Sequence, residues 1–392
     1  MKKVLVLGGG FAGVDAAAHL RNRGYDVTLV SDRDYFYIYP TSIWIPTGNA
    51  TMDDVKVDLK ALQKAHGFRL VVDGVEKIEA KANRVTLASG RVMEDYDYLV
   101  VAVGAHKMRH EGIEHTLSIC GNPLEAPQIK RRIDALIEKG SGRIAFGFGG
   151  NPNDSSAVRG GPGFELFFNL HHLLKKKGIR QNFEMTFFAP MATPGARMGK
   201  QALHMMDVMF KRSDFHKQFG KKIKRFEADG VVFEDDSKLA SDFTMFIPAG
   251  DGHRVIRESD LPTNAAGFVA VNDYCEVLFD GEPSNVYAAG DVAAIEGPEW
   301  RAKQGHIAEV MAKNIAYNID QRDRGSDKRK GYQAHLNILC VMDTGDGAGF
   351  VLRNDKKAFM MPMPVFGHWM KKGWGWYCRN SKLGRIPRLP GL

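Results

Sequence analysis

The apolar positions near the start of the chain predict a strand, a helix and a second strand in close succession. Lys3–Leu7 is a short apolar run of the kind that forms a buried strand, and Asp26–Val30 is another. Between them, the spacing of apolar residues over Phe11–Arg21 predicts a helix that ends before Gly24. A further buried strand is predicted at Tyr98–Val103. This pattern indicates an α/β fold built from βαβ units.

A second βαβ-like unit is predicted in the middle of the chain. It follows a helical stretch at Leu124–Lys139 and has strands at Arg143–Gly147 and Glu184–Phe188 around a helix at Glu165–Lys177. The other predicted elements are a small helix after residue 54, strands at Arg69–Val72, Val75–Ile78 and Arg84–Leu87, an alternating stretch over Val231–Ile247, a strand at Asn285–Ala289 and a helix from about Arg301 to Ile319. Two segments are predicted to be irregular or to form a linker, namely the aromatic- and proline-rich Tyr35–Gly48 and the charged stretch Gln321–Lys330.

Composition adds that the positive charge belongs to one end of the chain. A length of 392 residues predicts two or three domains, and a hydrophobic fraction of 44% excludes a disordered chain. The formal net charge is +8. Between Arg353 and Leu392, nine basic residues stand against Asp355 alone, so the first 352 residues carry no net charge. The charge therefore describes the C-terminal segment rather than the surface in general.

The cysteines and the start of the chain exclude several classes of protein. The four cysteines, at positions 120, 275, 340 and 378, form no CxxC pair, so neither a disulfide scaffold nor a zinc ribbon is supported. We expect a reducing compartment and no metal site. The start of the chain is not read as a signal peptide because Asp15 interrupts its apolar stretch. No uncharged apolar run approaches the ~20 residues that a membrane-spanning helix needs.

A glycine motif marks the first turn as a candidate nucleotide site. Gly8, Gly10 and Gly13 stand as G-x-G-x-x-G directly after a predicted strand and at the opening of a predicted helix. Glycine permits the tight turn, the close approach of the backbone to a diphosphate, and the close packing of helix on sheet. The second strand ends in Ser31 and Asp32. Asp32 is our candidate for holding a ribose hydroxyl group.

Two more segments resemble those of the two-dinucleotide-binding flavoproteins, which include the relatives of glutathione reductase. Asp97–Gly104 (DYLVVAVG) resembles their strand "DYLVVATG", and Asn285–Asp291 (NVYAAGD) resembles their returning strand. In that class the final aspartate meets the ribityl chain of the flavin. The resemblance implies that the cofactor is FAD. The residues predicted to bind FAD are Gly8, Gly10, Phe11, Ala12, Gly13, Ser31, Asp32, Val103, Gly104, Gly290 and Asp291.

The fold that this resemblance implies is α/β, with two Rossmann-like dinucleotide-binding domains of the glutathione-reductase type and a C-terminal membrane-surface segment. The predicted divisions are an FAD-binding domain in two parts, residues 1–110 and 241–330, a second dinucleotide-binding-like domain, residues 111–240, and a C-terminal quinone and membrane-association region, residues 331–392.

Within this class the chain is most similar to sulfide:quinone oxidoreductases and to the flavin subunit of flavocytochrome c sulfide dehydrogenases. Tyr35–Gly48 contains none of the cysteines that disulfide reductases carry there. The segments that resemble motifs of the sulfide:quinone family are Leu117–Cys120 (LSIC), Gly161–Glu165 (GPGFE), Lys303–Gly305 (KQG) and Cys340–Phe350 (CVMDTGDGAGF). The resemblance implies that electrons pass from a reduced sulfur donor to the flavin and then to a quinone. The predicted catalytic residues are Cys340, Glu165, Cys120 and Lys303.

Several positions depart from the motifs of that family. The family uses two redox cysteines, and the second of them matches Cys340, but Arg159 stands where the other is expected. Two histidines of the family are also not evident, with Leu124 and Ala196 standing about there. A single thiolate can still carry sulfur if its pKa is depressed. We therefore expect Cys340 to be a reactive thiol, activated by Arg159 if the two are close; the alternative is a buried, inert cysteine.

Two other functions stay open on the sequence. Type II NADH:quinone oxidoreductases share the architecture but need a second glycine motif, and Gly147–Pro152 begins as one. The next predicted strand ends in Ala189 and Pro190, however, with no carboxylate to hold a ribose. This observation disfavours NADH as the donor. The remaining alternative is a flavin-containing redox sensor or complex subunit without turnover.

The C-terminal tail combines aromatic, methionine and basic residues. Residues 359–392 hold three of the five tryptophans and six basic residues, a composition that suits a segment lying on an anionic membrane surface. The alternative is helices that pack on the body or on a second subunit, so a homo-oligomer stays open. We expect peripheral association at the cytoplasmic face, no binding of nucleic acid, and a quinone channel lined by Phe350, Phe359, Phe366 and the Lys303 region.

Overall fold

The computed structural model describes residues 1–388 of the chain. In this range the α-helices are α1 (Phe11–Arg21), α2 (Tyr39–Ser42), α3 (Met52–Val55), α4 (Leu59–His66), α5 (Glu125–Lys139), α6 (Gly161–Lys176), α7 (Lys200–Arg212), α8 (Arg254–Arg257), α9 (Gly305–Asp323) and α10 (Phe366–Lys382). Short 3₁₀ helices lie at Ile113–His115, Ser155–Ala157, Arg180–Asn182, Ala196–Met198, Gly290–Val292 and Gln333–His335.

The strands are distributed along the whole described chain. They are β1 (Lys3–Leu7), β2 (Asp26–Ser31), β3 (Tyr35–Tyr37), β4 (Lys56–Asp58), β5 (Arg69–Val72), β6 (Val75–Glu79), β7 (Arg84–Leu87), β8 (Val92–Met93), β9 (Tyr98–Val101), β10 (His106–Lys107), β11 (Gly142–Phe148), β12 (Phe183–Ala189), β13 (His216–Phe219), β14 (Ile223–Glu227), β15 (Gly230–Phe233), β16 (Lys238–Ala240), β17 (Phe243–Ile247), β18 (Gly250–Asp251), β19 (Val269–Ala270), β20 (Glu276–Phe279), β21 (Glu282–Ala288), β22 (Ala293–Ala294), β23 (Ile338–Asp343), β24 (Gly347–Arg353) and β25 (Ala358–Pro364).

The largest sheet joins the start of the chain to residues close to position 290. Its order is β20-β21-β9-β1-β2-β5, and within it only β20 pairs antiparallel to its neighbour. Leu7 at the end of β1 pairs with Val30 on one side and Val101 on the other. Because the strands are parallel, their carboxyl ends meet at one edge, and this is where ligands bind in open α/β sheets.

A second parallel sheet is formed by residues that lie between the two parts of the first. Its order is β13-β12-β11-β17, and α6 crosses over from β11 to β12. The ring of Phe164 on α6 stacks on that of Phe187 on β12, with centroids 4.2 Å apart and planes 8° from parallel. The apolar runs that predicted these strands are buried on both faces, as in a sheet covered by helices.

The remaining strands form small sheets at the edges of these two layers. They are β3-β4, the β6-β7-β8 meander, β10-β18, the β14-β15-β16 meander, β19-β22 and the antiparallel β23-β24-β25. The last of these, with α10 packed across it, forms the C-terminal part of the fold. The sequence predicts none of these three strands, and it predicts a packed helix in the tail only as the alternative to a membrane-surface segment.

Three local predictions need correction. Tyr35–Gly48 was expected to be irregular, yet it contains β3 and α2. The helix expected from about Arg301 begins at Gly305. It also runs on to Asp323, so the first residues of the expected linker Gln321–Lys330 are helical. The helix continues because it packs along α1 with a face of apolar residues that extends to Ile319.

Candidate functional site

The glycine turn after β1 leaves open space at the start of α1. Gly8 has φ of +112°, and a Cβ there would lie 2.2 Å from the carbonyl oxygen of Ala102. A Cβ on Gly13 would lie 1.8 Å from the carbonyl oxygen of Gly8, so close packing requires both glycines. A Cβ on Gly10 would meet nothing within 4 Å. Gly10 is therefore the point at which a diphosphate group could approach the backbone N–H groups of the helix.

The end of β2 presents a carboxylate beside this turn. Ser31 is buried, and its hydroxyl donates to the carbonyl oxygen of Arg33 at 2.7 Å. The side chain of Asp32 is 78% exposed, with its nearest ionic partner, Nε of Arg33, at 4.0 Å. A carboxylate in this state can accept hydrogen bonds from the hydroxyl groups of a ribose. The role predicted for Asp32 fits this position and stays a prediction.

The turn after β21 faces the same end of α1. Gly290 has φ of +76°, and a Cβ there would lie 3.1 Å from the side chain of Ala12. On the helix that follows, a Cβ on Gly305 would lie 3.7 Å from the ring of Phe11. The predicted cofactor positions near residues 10, 100 and 290 are thus brought together, since Val103 also lies against the glycine turn.

Asp291 lies in this turn, and Arg159 is paired with it. Nη2 of Arg159 donates to the carboxylate of Asp291, and both side chains are just over a quarter exposed. Burial raises the pKa of Asp291, but Arg159 and Lys303 outweigh it and hold that pKa below its usual value. Arg159 therefore stabilises the charged form of the carboxylate that is predicted to meet the ribityl chain.

The side chain of Lys303 holds the same turn through hydrogen bonds to its backbone. Its ammonium group donates to the carbonyl oxygens of Asp291, at 3.1 Å, and of Ala293, and lies 3.8 Å from the ring centroid of Phe268. Burial lowers the pKa of Lys303 to about 8. These contacts make Lys303 a residue that positions the backbone. Oε1 of the next residue, Gln304, is buried and has no hydrogen-bond partner among the described residues.

Cys120 is the thiol on which the charges of Lys107 and Arg159 act. It is buried, and burial raises its pKa, while Lys107 and Arg159 act in the opposite direction. Glu165 and Asp291 also act on this thiol. Arg159 was expected to activate Cys340, but its ion pair is with Asp291 and the thiol it influences is Cys120.

Cys340 lies on β23, and its surroundings favour the neutral thiol. Burial and the nearby carboxylate of Glu165 raise the pKa of Cys340 to about 12, although Lys371 acts in the opposite direction. At neutral pH almost all of this thiol is protonated. The direction is opposite to the depressed pKa that a reactive thiolate needs. Cys340 as a reactive residue therefore stays a prediction, one that requires a partner to remove its proton.

Glu165 belongs to a buried network that the sequence did not reveal. Its carboxylate is paired with the ammonium group of Lys371 from α10. It also accepts from the backbone N–H of Asp343 at 3.1 Å. Oδ2 of Asp343 lies 2.6 Å from Nδ1 of His368, which is also on α10. The signal was present as a histidine and a lysine three residues apart, but it has meaning only once that segment is known to be a helix.

A second buried cluster ties the end of α10 to α1. Nζ of Lys382 lies 2.5 Å from Oδ1 of Asp15 and also pairs with Glu309 on α9. Nη1 of Arg388 lies 2.5 Å from Oδ2 of Asp15. Burial raises the pKa of Asp15, but Lys382 and Arg388 together lower it to about 2. The first helix and the C-terminal helix are therefore held together by charges that are almost fully removed from water.

The other face of α10 exposes large apolar side chains. Phe366 is 67% exposed, and Trp369 and Trp376 are each 63% exposed. Lys372 lies beside them, 5.2 Å from the ring centroid of Trp369. Among residues 1–388, no helix has both the length and the hydropathy that a membrane-spanning segment requires. Residues 389–392 of the predicted membrane segment lie outside the described residues.

The second parallel sheet offers an incomplete nucleotide site. A Cβ on Gly147 at the end of β11 would lie 2.6 Å from the ring of Phe188, so this glycine serves the packing of the sheet. Asn151 in the following loop donates its Nδ2–H to the carbonyl oxygen of Gly250 at 2.8 Å. β12 ends at Ala189, and Pro190 follows it, so no carboxylate stands where an NADH ribose would be held.

Comparison with known proteins relates most of the chain to a family of oxidoreductases. Residues 2–312 match the family described as pyridine nucleotide-disulphide oxidoreductase. The chain is 28% identical to the sulfide-quinone reductase of Aquifex aeolicus over 97% of its own length and 92% of that protein. It is 24% identical to the type II NADH:quinone oxidoreductase Ndh of Mycobacterium tuberculosis over 80% of the chain and 72% of that protein. The crystal structure of the sulfide:quinone oxidoreductase of Aquifex aeolicus superposes with a TM-score of 0.86 and 26% identity, covering 98% of this chain and 92% of that one.

Proposed function

The chain belongs to the pyridine nucleotide-disulphide oxidoreductase family, which makes it a flavin-dependent oxidoreductase, and from that membership we propose that it passes electrons from a reduced sulfur donor through FAD to a quinone. The observation that carries this proposal is the match along nearly its whole length to a sulfide-quinone reductase. The donor is sulfide or a related compound of reduced sulfur.

The proposed FAD site is formed by three turns at one edge of the first sheet. The start of α1 would hold the diphosphate, since a side chain at Gly10 would meet nothing within 4 Å. Asp32 would accept hydrogen bonds from the ribose, and Asp291 from the ribityl chain. Lys303 holds the backbone of that last turn through two of its carbonyl oxygens. Bound there, FAD supplies the two-electron chemistry, and the protein supplies position and charge.

The proposed donor side contains Cys340, Cys120 and Glu165. The thiol of Cys340 would have to lose its proton to act as a nucleophile, because only the thiolate is nucleophilic. Sulfide would become bound sulfur on this thiol only with FAD as the acceptor of two electrons. Glu165 is the carboxylate that acts most strongly on this thiol, and its own pKa is raised by burial. A carboxylate with a raised pKa is a suitable proton acceptor. We assign this role to Glu165, with Lys371 holding its orientation through the ion pair.

The proposed acceptor side faces the membrane through α10. Aromatic side chains next to lysine and arginine suit the headgroup region of an anionic bilayer. Phe350 and Phe359 lie on neighbouring strands with ring centroids 6.1 Å apart, and Phe366 begins the helix that follows. These rings form the apolar lining that a quinone needs in order to pass from the bilayer to the flavin.

The test is anaerobic reduction of the bound flavin. The loss of the flavin's visible absorption measures the rate. We expect sulfide to bleach the flavin rapidly and a water-soluble quinone to restore the colour. NADH should act slowly because no carboxylate stands at the end of β12. Rapid bleaching by NADH with no response to sulfide would replace the proposal by an NADH:quinone function. Failure of both donors, with FAD bound, would favour a redox sensor.

A second candidate, NADH as the donor, is favoured by the relatedness to type II NADH:quinone oxidoreductases. In addition, the loop Gly147–Pro152 follows β11 as a nucleotide-binding loop would. The discriminating variant is Pro190→Glu, which places a carboxylate just after β12. If NADH is the donor, this variant gains affinity for NADH, whereas flavin reduction by sulfide stays unchanged.

A further inference from the structure

Two acid–base pairs lie side by side where α10 packs on α6 and β23. One is Glu165 with Lys371, and the other is Asp343 with His368. His368 and Lys371 are three residues apart, so they project from the same face of α10. The backbone N–H of Asp343 donates to Oε2 of Glu165 at 3.1 Å, which joins the two pairs. They therefore form one connected group.

The members of this group lead from the surface to the interior. The side chain of His368 is 14% exposed, that of Asp343 is fully buried, and that of Glu165 is 5% exposed. Oδ1 of Asp343 accepts from Nδ2 of Asn169 at 3.0 Å and from the N–H of Gly345 at 2.8 Å. These two donors fix the carboxylate, and Oδ2 is left for the imidazole.

A small cavity is lined by residues of both pairs, Glu165 and Asp343. Its volume is about 10 Å³, which is the space of roughly one water molecule. It is lined by Glu165, Asp343, Thr344, Phe168, Gly349 and the methionines at positions 206, 209, 342 and 360. A water molecule there would lie beside Glu165 and Asp343 in mainly apolar surroundings. Such a molecule would complete a path along which a proton could move.

The chemistry of the proposed reaction requires such a path. Oxidation of one hydrosulfide ion to zero-valent sulfur releases two electrons and one proton. Reduction of one quinone to its quinol takes up two electrons and two protons. One proton per turnover must therefore enter from solvent. On the basis of the proposed function, we propose that His368 and Asp343 take up this proton and pass it inward to Glu165, beside Cys340. Glu165 would pass on to the quinone first the proton released on the donor side and then this one, which together make the two protons of the quinol.

Other charged groups near His368 do not continue the path. His172 on α6 and Asp346 are 3.7 Å apart at the rim, with the side chain of Asp346 72% exposed. Lys372 on α10 lies over the rings of Trp44 and Trp369. Lys371 on α10 pairs with Glu165, and this ion pair holds the carboxylate of Glu165 in place. His368 is thus the titratable group that links the surface to Asp343.

The experiment measures reoxidation of the flavin separately from its reduction. Enzyme carrying FAD is reduced with dithionite, freed of excess reductant and mixed with a water-soluble quinone, which makes the result independent of the donor. For His368→Ala we expect a loss of about 100-fold in the rate of reoxidation, the size of a general acid–base contribution. Added imidazole should restore most of that rate. Reduction by sulfide should stay within about twofold of the wild type, since it needs no proton from outside.

His172→Ala is the matched control, because it removes a histidine from the same surface without touching Asp343. Its reoxidation rate should equal that of the wild type. Equal rates for His368→Ala and the control, or a slow variant that imidazole does not rescue, would overturn the proposal. If sulfide fails to reduce the flavin of the wild type, sulfide is excluded as the donor. The dithionite experiment stays valid in that case.

A second measurement needs neither flavin nor activity. In flavin-free protein the Nδ1–H of His368, bonded to a carboxylate at 2.6 Å, should give a strongly downfield proton signal by NMR. Asp343→Asn should shift that signal and Glu165→Gln should leave it in place. A His368 signal that does not respond to Asp343→Asn would contradict the pairing on which the path depends.

Discussion

Nζ of Lys382 lies 2.5 Å from Oδ1 of Asp15 in the interior. This ion pair links the end of α10 to α1, the helix that begins the proposed nucleotide site. Both side chains are buried, and Glu309 shares the lysine. A buried pair of this kind need not stabilise more than a well-packed apolar pair would. Removing Lys382, however, takes from Glu309 the cation that it is paired with and leaves Asp15 with Arg388 as its remaining cation. The pair therefore fixes the end of α10 against α1.

Replacement of Lys382 by methionine tests this relationship. We expect Lys382→Met to lower the free energy of unfolding by about 3 to 5 kcal/mol, because Asp15 and Glu309 lose their shared cation in the interior. Denaturant unfolding followed by tryptophan fluorescence measures the loss. Lys372→Met, on the exposed side of the same helix, should change stability by less than about 0.5 kcal/mol. Equal effects of the two substitutions would contradict the assignment.

The same pair predicts a dependence of stability on pH. The pKa of Asp15 falls from its ordinary value of 3.8 to about 2 in the folded state, so the folded protein binds fewer protons than the unfolded chain between these values. The stabilisation from Asp15 is therefore present above pH 4 and is lost as pH falls towards 2. Unfolding curves of the wild type should show this loss, and the corresponding change should be absent from Asp15→Asn. A parallel decline in both proteins would exclude Asp15 as its source.

The glycine turn predicts different effects for substitutions at Gly10 and at Gly13. Gly10→Val adds a side chain to open space, so the fold should stay intact while FAD binding is lost, because the new side chain occupies the place of the diphosphate. Gly13→Val forces a contact with the carbonyl oxygen of Gly8, so the protein itself should be destabilised. Thermal unfolding and the flavin absorption of the purified variants measure the two effects. Full flavin content in Gly10→Val would disprove the assigned site.

The thiol of Cys340 should react slowly at neutral pH. Its pKa of about 12 means that the thiolate fraction, and with it the rate of alkylation by iodoacetamide, rises about tenfold per pH unit from pH 7 upwards. Glu165→Gln removes a negative charge beside the thiol and should raise the rate at a given pH. Mass spectrometry of the modified residue gives the rates. Cys275, which is buried beside Glu276 and whose pKa also lies well above the ordinary value, is the internal reference and should not respond to Glu165→Gln. Rapid, pH-independent alkylation of Cys340 would contradict the environment described.

The exposed face of α10 should govern binding to anionic vesicles. Exchange of Phe366 or Trp369 for serine removes an aromatic side chain that would be buried in the headgroup region, with an expected loss of about 1.5 kcal/mol or more, which is roughly tenfold in partitioning. Flotation with vesicles that contain phosphatidylserine measures this. Tyr274→Ser, an exposed aromatic residue remote in sequence, is the control. Unchanged flotation of the α10 variants would leave the membrane role without support.

Much of the FAD region could be predicted because its signals are local. The strand Lys3–Leu7, the glycine turn and the helix Phe11–Arg21 occur as the spacing indicated. The C-terminal helix could not be predicted in this way, since glycine has low helix propensity and α10 contains three. Gly367 is tolerated because it lets the helix approach Ala348 on β24, where a Cβ would lie 2.5 Å away. That approach is a tertiary effect.

The buried network around Glu165 shows the same division. Glu165 and Cys340 are singled out by short motifs, whereas His368 and Asp343 are assigned no role by the sequence. Lys371 is counted there among the basic residues of a membrane surface, yet it is buried and paired with Glu165. Their roles depend on the packing of α10 against β23 and α6, which brings together residues far apart in sequence. The effect of burial on the pKa of Cys340 was equally beyond a sequence pattern.

The pairing of β21 with β9 has a consequence for synthesis. The turn that carries Asp291 can take its place only after residues 286–288 have joined residues 99–101 in the sheet. During translation the glycine turn emerges first and must wait for most of the chain before its partner turn arrives. Release of α10 comes later still, and with it the pair between Lys382 and Asp15. The proposed nucleotide site is therefore incomplete until residues 286–291 have left the ribosome, and the contacts of α10 with α1 can form only later.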